Sequence, residues 1–423
     1  MKAAILAAGE GVRLLPITAT RPKHLIKVAG KPILEHCLNA LKRAGISETV
    51  IVVHFMGDAI RQHFGDGKQF GIEIEYAEQQ AVLGTGNAVS VVEPYMSDDF
   101  LLVNGDMLFA AEPLKTIVDL HQTEKPAATM AVVPVEKPEN YGIVELENGK
   151  HVKRIVEKPA REEAPTNLAN AGIYVFSTEI FAKIKQTSPT TRGEWEIPDA
   201  LTLLINEKKL VLAVNIATKD WIDIGRPWDL LEANRWALTR MKRKPLGFIE
   251  EGAHLLGPVT VAETAHVRSG AYIEGPAFID EEADIGPNCY IRPCTSIGRK
   301  ARVGNACEIK NSIIMDNAHI GHLSYVGDSI IGERCNLGAG TITANYRLDA
   351  GTIKMMVKDK LVDSGRKKLG AVLGDNVKTG INALLMPGVK VGNESWIGPN
   401  LMVRRDLPPK SRVFLKQEVE NKN

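Results

Sequence analysis

The chain has 423 residues, too many for one ordinary hydrophobic core, so the length predicts two domains. Its 52 lysine and arginine residues almost balance its 51 aspartate and glutamate residues, which excludes a global charge that favours nucleic acid or an anionic membrane. No apolar run reaches the roughly 20 residues that span a bilayer, and the apolar stretch at the start of the chain is too short for a signal peptide. We therefore expect a cytoplasmic protein that binds small molecules, not nucleic acid or a membrane.

The first 240 residues have the pattern of an α/β domain. Residues 2–7 form an apolar run that predicts a strand, residues 9–13 a glycine-rich loop, and residues 33–44 a helix. The alternation of strands and helices predicts a mostly parallel sheet covered on both faces. Ligands of such sheets bind beyond the carboxyl ends of the strands, where the glycine loop and Asp106 are expected. Further strands are predicted at residues 49–54, 100–103, 128–133 and 170–176.

The glycine-rich loop has the composition of a phosphate site. Its glycines let backbone N–H groups approach a phosphate chain, and Arg13 and Lys23 add cations. It is not a Walker P-loop, since no Gly-Lys-Ser/Thr follows, and it lacks the third glycine of the dinucleotide fingerprint. A lone G-x-G also fits a tight turn without a ligand. The loop therefore indicates a phosphate-handling enzyme of another class.

The second half of the chain has a six-residue repeat. Residues 227–247 predict a helix followed by a basic segment, and we expect a linker at residues 241–255. A period of six is that of a short strand and a turn, and three such units make one coil of a parallel β-solenoid. The register slips near Met315 and returns at Ile320. The predicted inward residues before the slip are Val261, Val267, Ile273, Ile279, Ile285, Ile291, Ile297, Val303 and Ile309.

The cysteines predict neither a disulfide framework nor a metal site. The five cysteines form no C-x-x-C pair, and four of them lie within the repeats, where a buried thiol packs as a small apolar group. We therefore expect free, structural thiols at Cys37, Cys289, Cys294, Cys307 and Cys335.

The first domain resembles a known enzyme family. Residues 6–32, LAAGEGVRLLPITATRPKHLIKVAGKP, resemble the signature of the sugar-1-phosphate nucleotidyltransferases. Six more blocks follow in the family's order: Gln79 with LGTG at 83–86, NGD at 104–106, YGIV at 141–144, VEKP at 156–159, NAGIY at 170–174 and WIDIG at 221–225. The resemblance implies a Rossmann-like fold, Mg²⁺ as cofactor, and attack of a sugar-1-phosphate on a nucleoside triphosphate with release of pyrophosphate.

The same resemblance implies roles for individual residues. Arg13 and Lys23 would hold the triphosphate, and Asp106 and Asp223 would hold Mg²⁺, a hard cation that takes carboxylate and phosphate oxygens. Taken alone, Asp106 also fits a helix N-cap, and Lys158 a solvated surface charge. The nucleotide would contact Leu6, Gly9, Gly11, Gln79, Gly84 and Thr85, and the sugar phosphate would contact Gly142, Glu157, Lys158 and Asn170.

A cluster of polar residues lies within the repeats: Arg292, Lys310, HLSY at 322–325, NLGAGT at 336–341 and NY at 345–346. These blocks resemble the glucosamine-1-phosphate acetyltransferase half of the bifunctional N-acetylglucosamine-1-phosphate uridyltransferases. The resemblance implies a left-handed parallel β-helix at residues 256–423, after a nucleotidyltransferase domain at residues 1–240. It also implies a homotrimer or a dimer of trimers, with acetyl-CoA as co-substrate. His322 would be the general base, and an ordinary imidazole pKa suits that task near neutral pH. The acetyl-transfer substrates would contact Arg292, Lys310, Tyr325, Asn336, Ala339, Asn345 and Arg404.

Residues 347–371 interrupt the repeat and are longer than in the bacterial family, as in its archaeal form. Lys354 and Lys358 are candidates for the sugar-binding lysine of the shorter bacterial loop. Two alternatives stay open: a single-activity enzyme such as a mannose-1-phosphate guanylyltransferase with a scaffold β-helix, and a non-enzymatic sugar-nucleotide-binding subunit. The choices between UTP and dTTP, and between gluco and galacto sugars, also stay open.

Overall fold

The structure is a computed structural model that describes residues 1–190 and 193–420. The chain forms two compact units. The first contains Met1–Glu10, Pro22–Leu25 and Pro32–Asp223. The second contains Gly11–Arg21, Ile26–Lys31 and the chain from Ile224 onward. Two short pieces of the glycine-loop region therefore belong to the second unit.

The strands and helices up to residue 223 follow the α/β pattern. The strands are β1 (Ala3–Ala7), β2 (Lys27–Val28), β3 (Lys31–Pro32), β4 (Glu48–Val53), β5 (Glu73–Glu78), β6 (Phe100–Asn104), β7 (Met107–Phe109), β8 (Ala128–Pro134), β9 (Gly142–Glu147), β10 (His151–Glu157), β11 (Leu168–Phe176), β12 (Val211–Asn215) and β13 (Trp221–Asp223). The helices are α1 (Ile33–Arg43), α2 (Gly57–Phe64), α3 (Thr85–Ser90), α4 (Ala111–Glu124), α5 (Glu179–Gln186) and α6 (Ile197–Asn206).

The main sheet of the first unit is mixed, in the order β5-β4-β1-β6-β11-β8-β12-β10-β9. The prediction of a mostly parallel sheet holds for β5, β4, β1 and β6 and for β8 with β12. It is wrong for β11 and β10, which run antiparallel to both of their neighbours. The reason lies in the connections: Asn148 and Gly149, with positive φ of 52° and 75°, form a tight turn between β9 and β10, where no crossover helix intervenes.

Alternate strand residues of the first unit are buried on opposite faces of the sheet. In β4, Ile51 joins one apolar cluster and Val52 the other, and both are fully buried. Helix α1 covers the first face with residues such as Leu38, while α6 covers the second with Leu201 and Leu204. Both faces are apolar because helices cover both, as the alternating pattern predicts.

The second unit is a left-handed parallel β-helix. Each coil contributes one strand to each of three parallel sheets, in the orders β14-β17-β20-β23-β26-β29-β34-β37, β15-β18-β21-β24-β27-β30-β35-β38-β40 and β16-β19-β22-β25-β28-β31-β36-β39. Residues 241–255, expected as a linker, carry β14, β15 and the start of β16. These strands pair with β17, β18 and β19, so this segment supplies the first coil.

The elements of this unit are one helix and short strands. The helix is α7 (Pro227–Leu238). The strands are β14 (Lys244–Pro245), β15 (Phe248–Ile249), β16 (His254–Leu256), β17 (Val259–Val261), β18 (His266–Val267), β19 (Tyr272–Glu274), β20 (Ala277–Ile279), β21 (Asp284–Ile285), β22 (Tyr290–Ile291), β23 (Thr295–Ile297), β24 (Arg302–Asn305), β25 (Glu308–Lys310), β26 (Ile313–Ile314), β27 (His319–His322), β28 (Tyr325–Gly327), β29 (Ile330–Ile331), β30 (Asn336–Leu337), β31 (Ile342–Thr343), β32 (Lys354–Val357), β33 (Lys360–Asp363), β34 (Val372–Leu373), β35 (Lys378–Thr379), β36 (Leu384–Leu385), β37 (Lys390–Val391), β38 (Trp396–Ile397), β39 (Met402–Val403) and β40 (Arg412–Val413).

The inward residues predicted from the repeat are confirmed. All nine of the aliphatic residues named above are fully buried in one continuous core. The register slip is a shorter coil: Phe278 pairs with Ser296 eighteen positions later, whereas Ser296 pairs with Ile313 only seventeen positions later. Because this coil is one residue shorter, the six-residue spacing in the sequence shifts by one, while the buried aliphatic residues still stack on one another.

The insertion after Tyr346 is an ordered hairpin. Strands β32 and β33 pair in antiparallel register, and Ile353 and Met355 are buried. The chain then returns to the solenoid at Val372, which pairs with Ile330. The five cysteines are free, as predicted, and all except the half-buried Cys294 are buried. Within residues 1–190 and 193–420, no helix has the length and apolar character needed to cross a membrane.

Helix α7 packs on one sheet of the solenoid through Asn234. The amide oxygen of this buried residue accepts hydrogen bonds from the Ala29 backbone at 2.8 Å and from the Ser296 hydroxyl at 2.6 Å. Its amide nitrogen donates to the Cys294 carbonyl at 3.0 Å. Close packing continues at Gly30, where an added Cβ would lie 2.2 Å from the Phe278 ring. Helix α7 and residues 26–31 therefore form one body with the solenoid.

Candidate active sites

The first candidate site lies at the carboxyl ends of β1 and β6. These strands are parallel neighbours, and Gly105 donates its N–H to the Leu6 carbonyl at 2.9 Å. A Cβ on Gly105 would lie 2.8 Å from that carbonyl oxygen, so this turn requires glycine. The turn places Asp106 directly beyond the strand end, where the α/β pattern predicts a ligand site.

Lys23 and Asp106 form a half-buried ion pair at this edge. Their side chains are 15% and 18% exposed, and the pair joins the ammonium to one carboxylate oxygen. A Cβ on Gly9 would lie 3.3 Å from the Lys23 ammonium, so the glycine loop leaves room for this cation. Three of the predicted residues are therefore neighbours: Gly9, Lys23 and Asp106.

Asp223 reaches the same edge through a second ladder. Strand β13 pairs with β7 in antiparallel register, and Asp223 lies opposite Met107, the residue after Asp106. No group of three or more metal-ligating side chains occurs within the described chain. Two carboxylates nevertheless fit Mg²⁺, because this ion is usually held by one or two carboxylates together with substrate phosphates and water. Asp106 and Asp223 would hold it.

A buried histidine lies beneath this edge and was missed by the sequence analysis. His24 is fully buried, and among the described residues neither of its ring nitrogens has a hydrogen-bond partner. Its pKa is lowered to about 3, chiefly by burial and also by the Lys23 ammonium, against the opposing effect of Asp106. His24 is therefore neutral at physiological pH and adds no charge beside the Lys23–Asp106 pair.

The predicted sugar residues converge at the start of β9. Gly142 pairs with Glu157 in the antiparallel ladder, and a Cβ on Gly142 would lie 2.9 Å from the Glu157 carboxylate. Lys158 donates to that carboxylate at 2.7 Å. Asn170 donates from its amide to the Tyr174 hydroxyl at 2.6 Å and accepts from the Gly172 backbone at 3.1 Å. These bonds orient polar groups of the type that bind sugar hydroxyls.

Gln79 is buried, with its amide held by neighbours. Its amide nitrogen donates to Asn87 at 2.8 Å and to the Gly84 carbonyl at 3.4 Å. Gly84 has a φ of 95°, and a Cβ there would lie 2.4 Å from the Trp195 carbonyl. The Thr85 hydroxyl accepts the Ile197 N–H at 3.1 Å, which gives Thr85 a structural bond as well. Asn87 and Trp195 are not among the residues predicted from the sequence.

Arg13 belongs to the second unit and lies beside Gly225. A Cβ on Gly225 would lie 3.2 Å from the Arg13 guanidinium, and the Gly225 N–H donates to the Asp229 carboxylate at 3.1 Å. Burial raises the pKa of Asp229 to about 6, although Arg226 and Arg13 act in the opposite direction. Asp229 was not identified from the sequence, since a single aspartate in the first turn of a helix reads as an ordinary N-terminal residue.

The second candidate site is organised by Asp328, which the sequence analysis also missed. This buried carboxylate accepts hydrogen bonds from Lys310 at 2.8 Å, Asn311 at 2.7 Å and Asn345 at 2.6 Å. The Asn345 amide also donates to the Tyr325 hydroxyl at 3.1 Å. The structure therefore brings together three predicted residues, Lys310, Tyr325 and Asn345, around a shared anion.

A cavity of about 530 Å³ lies next to this network. Six of its lining side chains are cationic and two are anionic. Both anions are already paired, Asp328 with Lys310 and Glu232 with Arg366. The surplus positive charge suits a phosphate group. The lining residues are Glu232, Arg235, Arg292, Pro293, Cys294, Lys310, Asn311, Asp328, Arg366, Lys367 and Lys368.

The insertion contributes Arg366, Lys367 and Lys368 to the lining of this cavity. The hairpin carries Lys354 and Lys358, the two candidates from the sequence. Neither is among the described residues that line the cavity. Arg366 is held by its ion pair with Glu232 of α7. The cationic residues of the insertion that line the cavity therefore lie after the hairpin, where the chain returns to the solenoid.

The remaining predicted residues lie on open faces of the solenoid. His322 is exposed at the end of β27, opposite Asn305, and Asn336 is exposed on β30. The Ala339 carbonyl accepts the Asn382 N–H at 2.8 Å. Arg404 is exposed and its guanidinium contacts the Met402 sulfur at 3.2 Å. None of these four lines the cavity within the described chain.

Comparison with known proteins agrees with this division. Residues 2–240 match the family model described as nucleotidyl transferase, and residues 273–385 match the model described as GMPPB C-terminal domain. The structure of UDP-glucose pyrophosphorylase complexed with UDP-glucose has a TM-score of 0.52 and 26% identity, and it covers 56% of this chain and 98% of that chain. The first domain is thus of the nucleotidyltransferase class.

Two relatives extend the match to the full chain. "Bifunctional protein GlmU" of Methanocaldococcus jannaschii is 43% identical over 419 residues, which cover 99% of this chain and 98% of that protein. "Bifunctional sugar-1-phosphate nucleotidylyltransferase/acetyltransferase" of Sulfurisphaera tokodaii is 39% identical over 408 residues, 96% of this chain and 98% of that protein. The chain belongs to this family of bifunctional sugar-1-phosphate nucleotidyltransferase/acetyltransferases. It is a transferase of sugar-nucleotide biosynthesis with nucleotidyl-transfer and acetyl-transfer activities.

Proposed function

We propose that the protein acetylates glucosamine-1-phosphate or galactosamine-1-phosphate from acetyl-CoA, and transfers a nucleotidyl group from UTP or dTTP to N-acetylglucosamine-1-phosphate or glucose-1-phosphate. The observation that carries the proposal is the presence of two separate phosphate-competent sites. One combines Lys23 with two carboxylates in the first unit, and the other is the cationic cavity of the second unit. A scaffold solenoid would not need the second.

In nucleotidyl transfer, a sugar-phosphate oxygen attacks the α-phosphorus, and the bond to the pyrophosphate oxygen breaks. Lys23 and Arg13 neutralise the triphosphate, and Gly9 and Gly11 expose backbone N–H groups toward it. Mg²⁺ held by Asp106 and Asp223 supplies further charge neutralisation when bound. Leu6 contributes backbone at the same strand end. Positioning and electrostatics therefore carry this step.

Recognition of the base and the sugar depends on side-chain amides that are oriented by hydrogen bonds and on one carboxylate. The Gln79 amide nitrogen donates to Asn87 and to the Gly84 carbonyl, so its amide oxygen is left to accept the imide N–H of a pyrimidine. Gly84 and Thr85 would lie along the same base. Glu157 and Asn170 would bind sugar hydroxyls beside Gly142, with Lys158 near the sugar phosphate. Because uracil and thymine share the imide edge, this geometry accepts both nucleotides.

In acetyl transfer, the sugar amine attacks the thioester carbonyl, and coenzyme A leaves as the thiol. His322 takes a proton from the amine. Arg292 and Lys310 bind the sugar phosphate, and Asp328 holds Lys310 and Asn345 in place. Tyr325, Asn336, Ala339 and Arg404 would complete the sugar and acetyl-CoA site. His322, Asn336 and Arg404 lie on open outer faces, which supports a site completed by a second copy of the chain.

The proposal also covers assembly and location. We place nucleotidyl transfer in residues 1–240 and acetyl transfer in residues 256–423, in a homotrimer or a dimer of trimers located in the cytoplasm. Exposed apolar residues on the outer solenoid faces, such as Leu323 at 64% and Trp396 at 43% exposure, support association of solenoids. Its partners are then small molecules and further copies of itself.

A substrate matrix tests the nucleotidyl half. Pyrophosphate release would be followed with UTP, dTTP, CTP, ATP and GTP against N-acetylglucosamine-1-phosphate, glucose-1-phosphate and mannose-1-phosphate, with and without Mg²⁺. The proposal predicts Mg²⁺-dependent release with the two imide pyrimidines and the two gluco sugars. Preference for GTP with mannose-1-phosphate would contradict it and favour a guanylyltransferase.

A further inference from the structure

The segment Gly11–Arg21, which carries Arg13, is tied to the β-helix. Thr20 donates its hydroxyl to the Asp375 carboxylate at 2.6 Å, and the Arg21 guanidinium donates to the same oxygen. Arg21 also donates to Glu333 at 2.5 Å. Asp375 has no exposed side-chain surface, and the Arg21 side chain is 14% exposed. A buried pair of this kind fixes geometry, because removing one partner leaves an uncompensated charge.

Asp375 belongs to a column of acidic residues at one corner of the solenoid. Asp316, Glu333 and Asp375 each lie two residues after Ile314, Ile331 and Leu373, which pair in one ladder. One Asp375 oxygen accepts the Glu333 backbone N–H at 2.8 Å, and the other faces the loop. Asp316 repeats this arrangement with the Arg299 N–H at 3.0 Å and Lys27 at 2.7 Å. These solenoid carboxylates therefore form ion pairs with Arg21 and Lys27.

The anchored end of the segment is connected to Arg13 by short internal bonds. The Thr18 hydroxyl donates to the Gly11 carbonyl at 2.9 Å, and the Leu14 N–H donates to the same carbonyl at 2.8 Å. Leu14 and Ile17 are buried. Residues 11–21 thus form a closed, packed loop whose end is held at Arg21. In the chain, Arg21 precedes Lys23 by two residues.

We infer that Asp375, in the acetyltransferase half of the sequence, is a positioning residue for nucleotidyl transfer. Through Thr20 and Arg21 it holds the segment that carries Arg13, which with Lys23 is one of the two proposed triphosphate-binding cations. The inference rests on the proposed roles of those cations. Nucleotidyl transfer then depends on a β-helix carboxylate through the segment that carries Arg13.

The variant Asp375→Asn tests this with little change in shape. Its amide oxygen can still accept the Glu333 N–H, but its amide nitrogen then faces the donors of Thr20 and Arg21 and repels them. We expect the nucleotidyl-transfer kcat to fall roughly 10- to 100-fold, as for other small misplacements of catalytic groups. The KM for sugar-1-phosphate and the acetyl-transfer kcat should change less than about twofold, since neither depends on this loop.

Four further variants make the result decisive. Asp406→Asn is the matched control, because Asp406 likewise accepts a coil N–H, that of Lys390 at 2.8 Å, without touching residues 11–21; both activities should be unchanged. Arg21→Ala should lower nucleotidyl transfer as Asp375→Asn does, and the double variant should be no worse than the stronger single one. Arg13→Ala tests the proposed role of Arg13 separately.

The outcomes separate the two ideas. Normal nucleotidyl transfer in Asp375→Asn beside an inactive Arg13→Ala overturns the inference alone, whereas an active Arg13→Ala overturns the proposed role of Arg13. Equal losses of both activities in Asp375→Asn, or additive losses in the double variant, assign Asp375 a purely structural role and also overturn the inference. Thermal unfolding and the acetyl-transfer rate report whether each variant is folded.

Discussion

Asp223 lies directly opposite Met107 at the end of a two-stranded antiparallel ladder, so this ladder brings it beside the turn that carries Asp106, the other carboxylate expected to bind Mg²⁺. Met107 follows Asp106 in the chain. The block that ends at Asp106 and the block that contains Asp223 are more than 100 residues apart in sequence, and this ladder brings them together. The Lys23–Asp106 ion pair then adds a cation, proposed to bind phosphate, to the same edge.

Asp223→Ala should abolish most nucleotidyl transfer and spare acetyl transfer. Loss of one group that stabilises transition-state charge typically costs about 10²- to 10³-fold in kcat. The measurement is pyrophosphate release over a range of Mg²⁺ concentrations, with thiol release as the readout of the other site. Asp220→Asn, at the other end of the same strand region, is the control and should retain both activities. Loss of both activities in Asp223→Ala would contradict the two-site account.

His322→Ala should show the opposite pattern. Removal of a general base costs on the order of 10²- to 10⁴-fold, so acetyl transfer should nearly disappear while nucleotidyl transfer continues. His319→Ala is a matched control, because His319 lies on the same strand and is also exposed. Full acetyl transfer in His322→Ala would exclude this residue as the base.

Lys367→Ala should weaken binding of the sugar-phosphate substrate of acetyl transfer. Lys367 lines the cationic cavity, and loss of a cation that binds phosphate equally in ground and transition states raises KM with little change in kcat. We expect a rise in KM for glucosamine-1-phosphate of roughly 10- to 100-fold, the size of one hydrogen bond to a charged group. Lys360→Ala, on the hairpin of the same insertion, should leave KM unchanged. Equal effects of both substitutions would show that the insertion acts only through its overall charge.

His24→Gln should flatten the dependence of stability on pH. The folded pKa of His24 is about 3, below its ordinary value of 6.5, because burial disfavours the charged ring. Between these values the unfolded chain binds more protons, so the contribution of His24 to stability is fully present above about 6.5 and is lost as pH falls toward 3. The apparent Tm measured from pH 7 to pH 4 should decline less steeply in His24→Gln than in the unsubstituted protein. Parallel curves would contradict a buried neutral imidazole.

Features that repeat or follow the chain locally could be predicted from the sequence. The inward residues of the solenoid, such as Val261 and Ile309, were predicted because one position in six must be small and apolar in every coil. Strand β6 and helix α1 could be predicted as well, because each follows from the spacing of apolar residues within one short segment. The antiparallel direction of β11 was not, since β-propensity carries no information on strand direction.

The residues that the sequence analysis missed depend on long-range contacts. Asp328 is a single aspartate in a repeat rich in such residues, and its importance follows only from three donors on two coil segments. The bond between Arg21 and Asp375 joins residues 354 positions apart, which leaves no local pattern. Arg366 and Lys367 were missed because the hairpin's lysines come first in the insertion, and only the fold shows which basic residues line the cavity.

Thiol release from acetyl-CoA, with purified full-length protein and glucosamine-1-phosphate or galactosamine-1-phosphate as acceptor, tests the central claim most directly. The account predicts release with at least one amino-sugar phosphate, and no release with glucose-1-phosphate, which lacks the amine. Absence of release with both amino sugars, in a preparation that still forms sugar nucleotides, would contradict the account and reduce the β-helix to a scaffold.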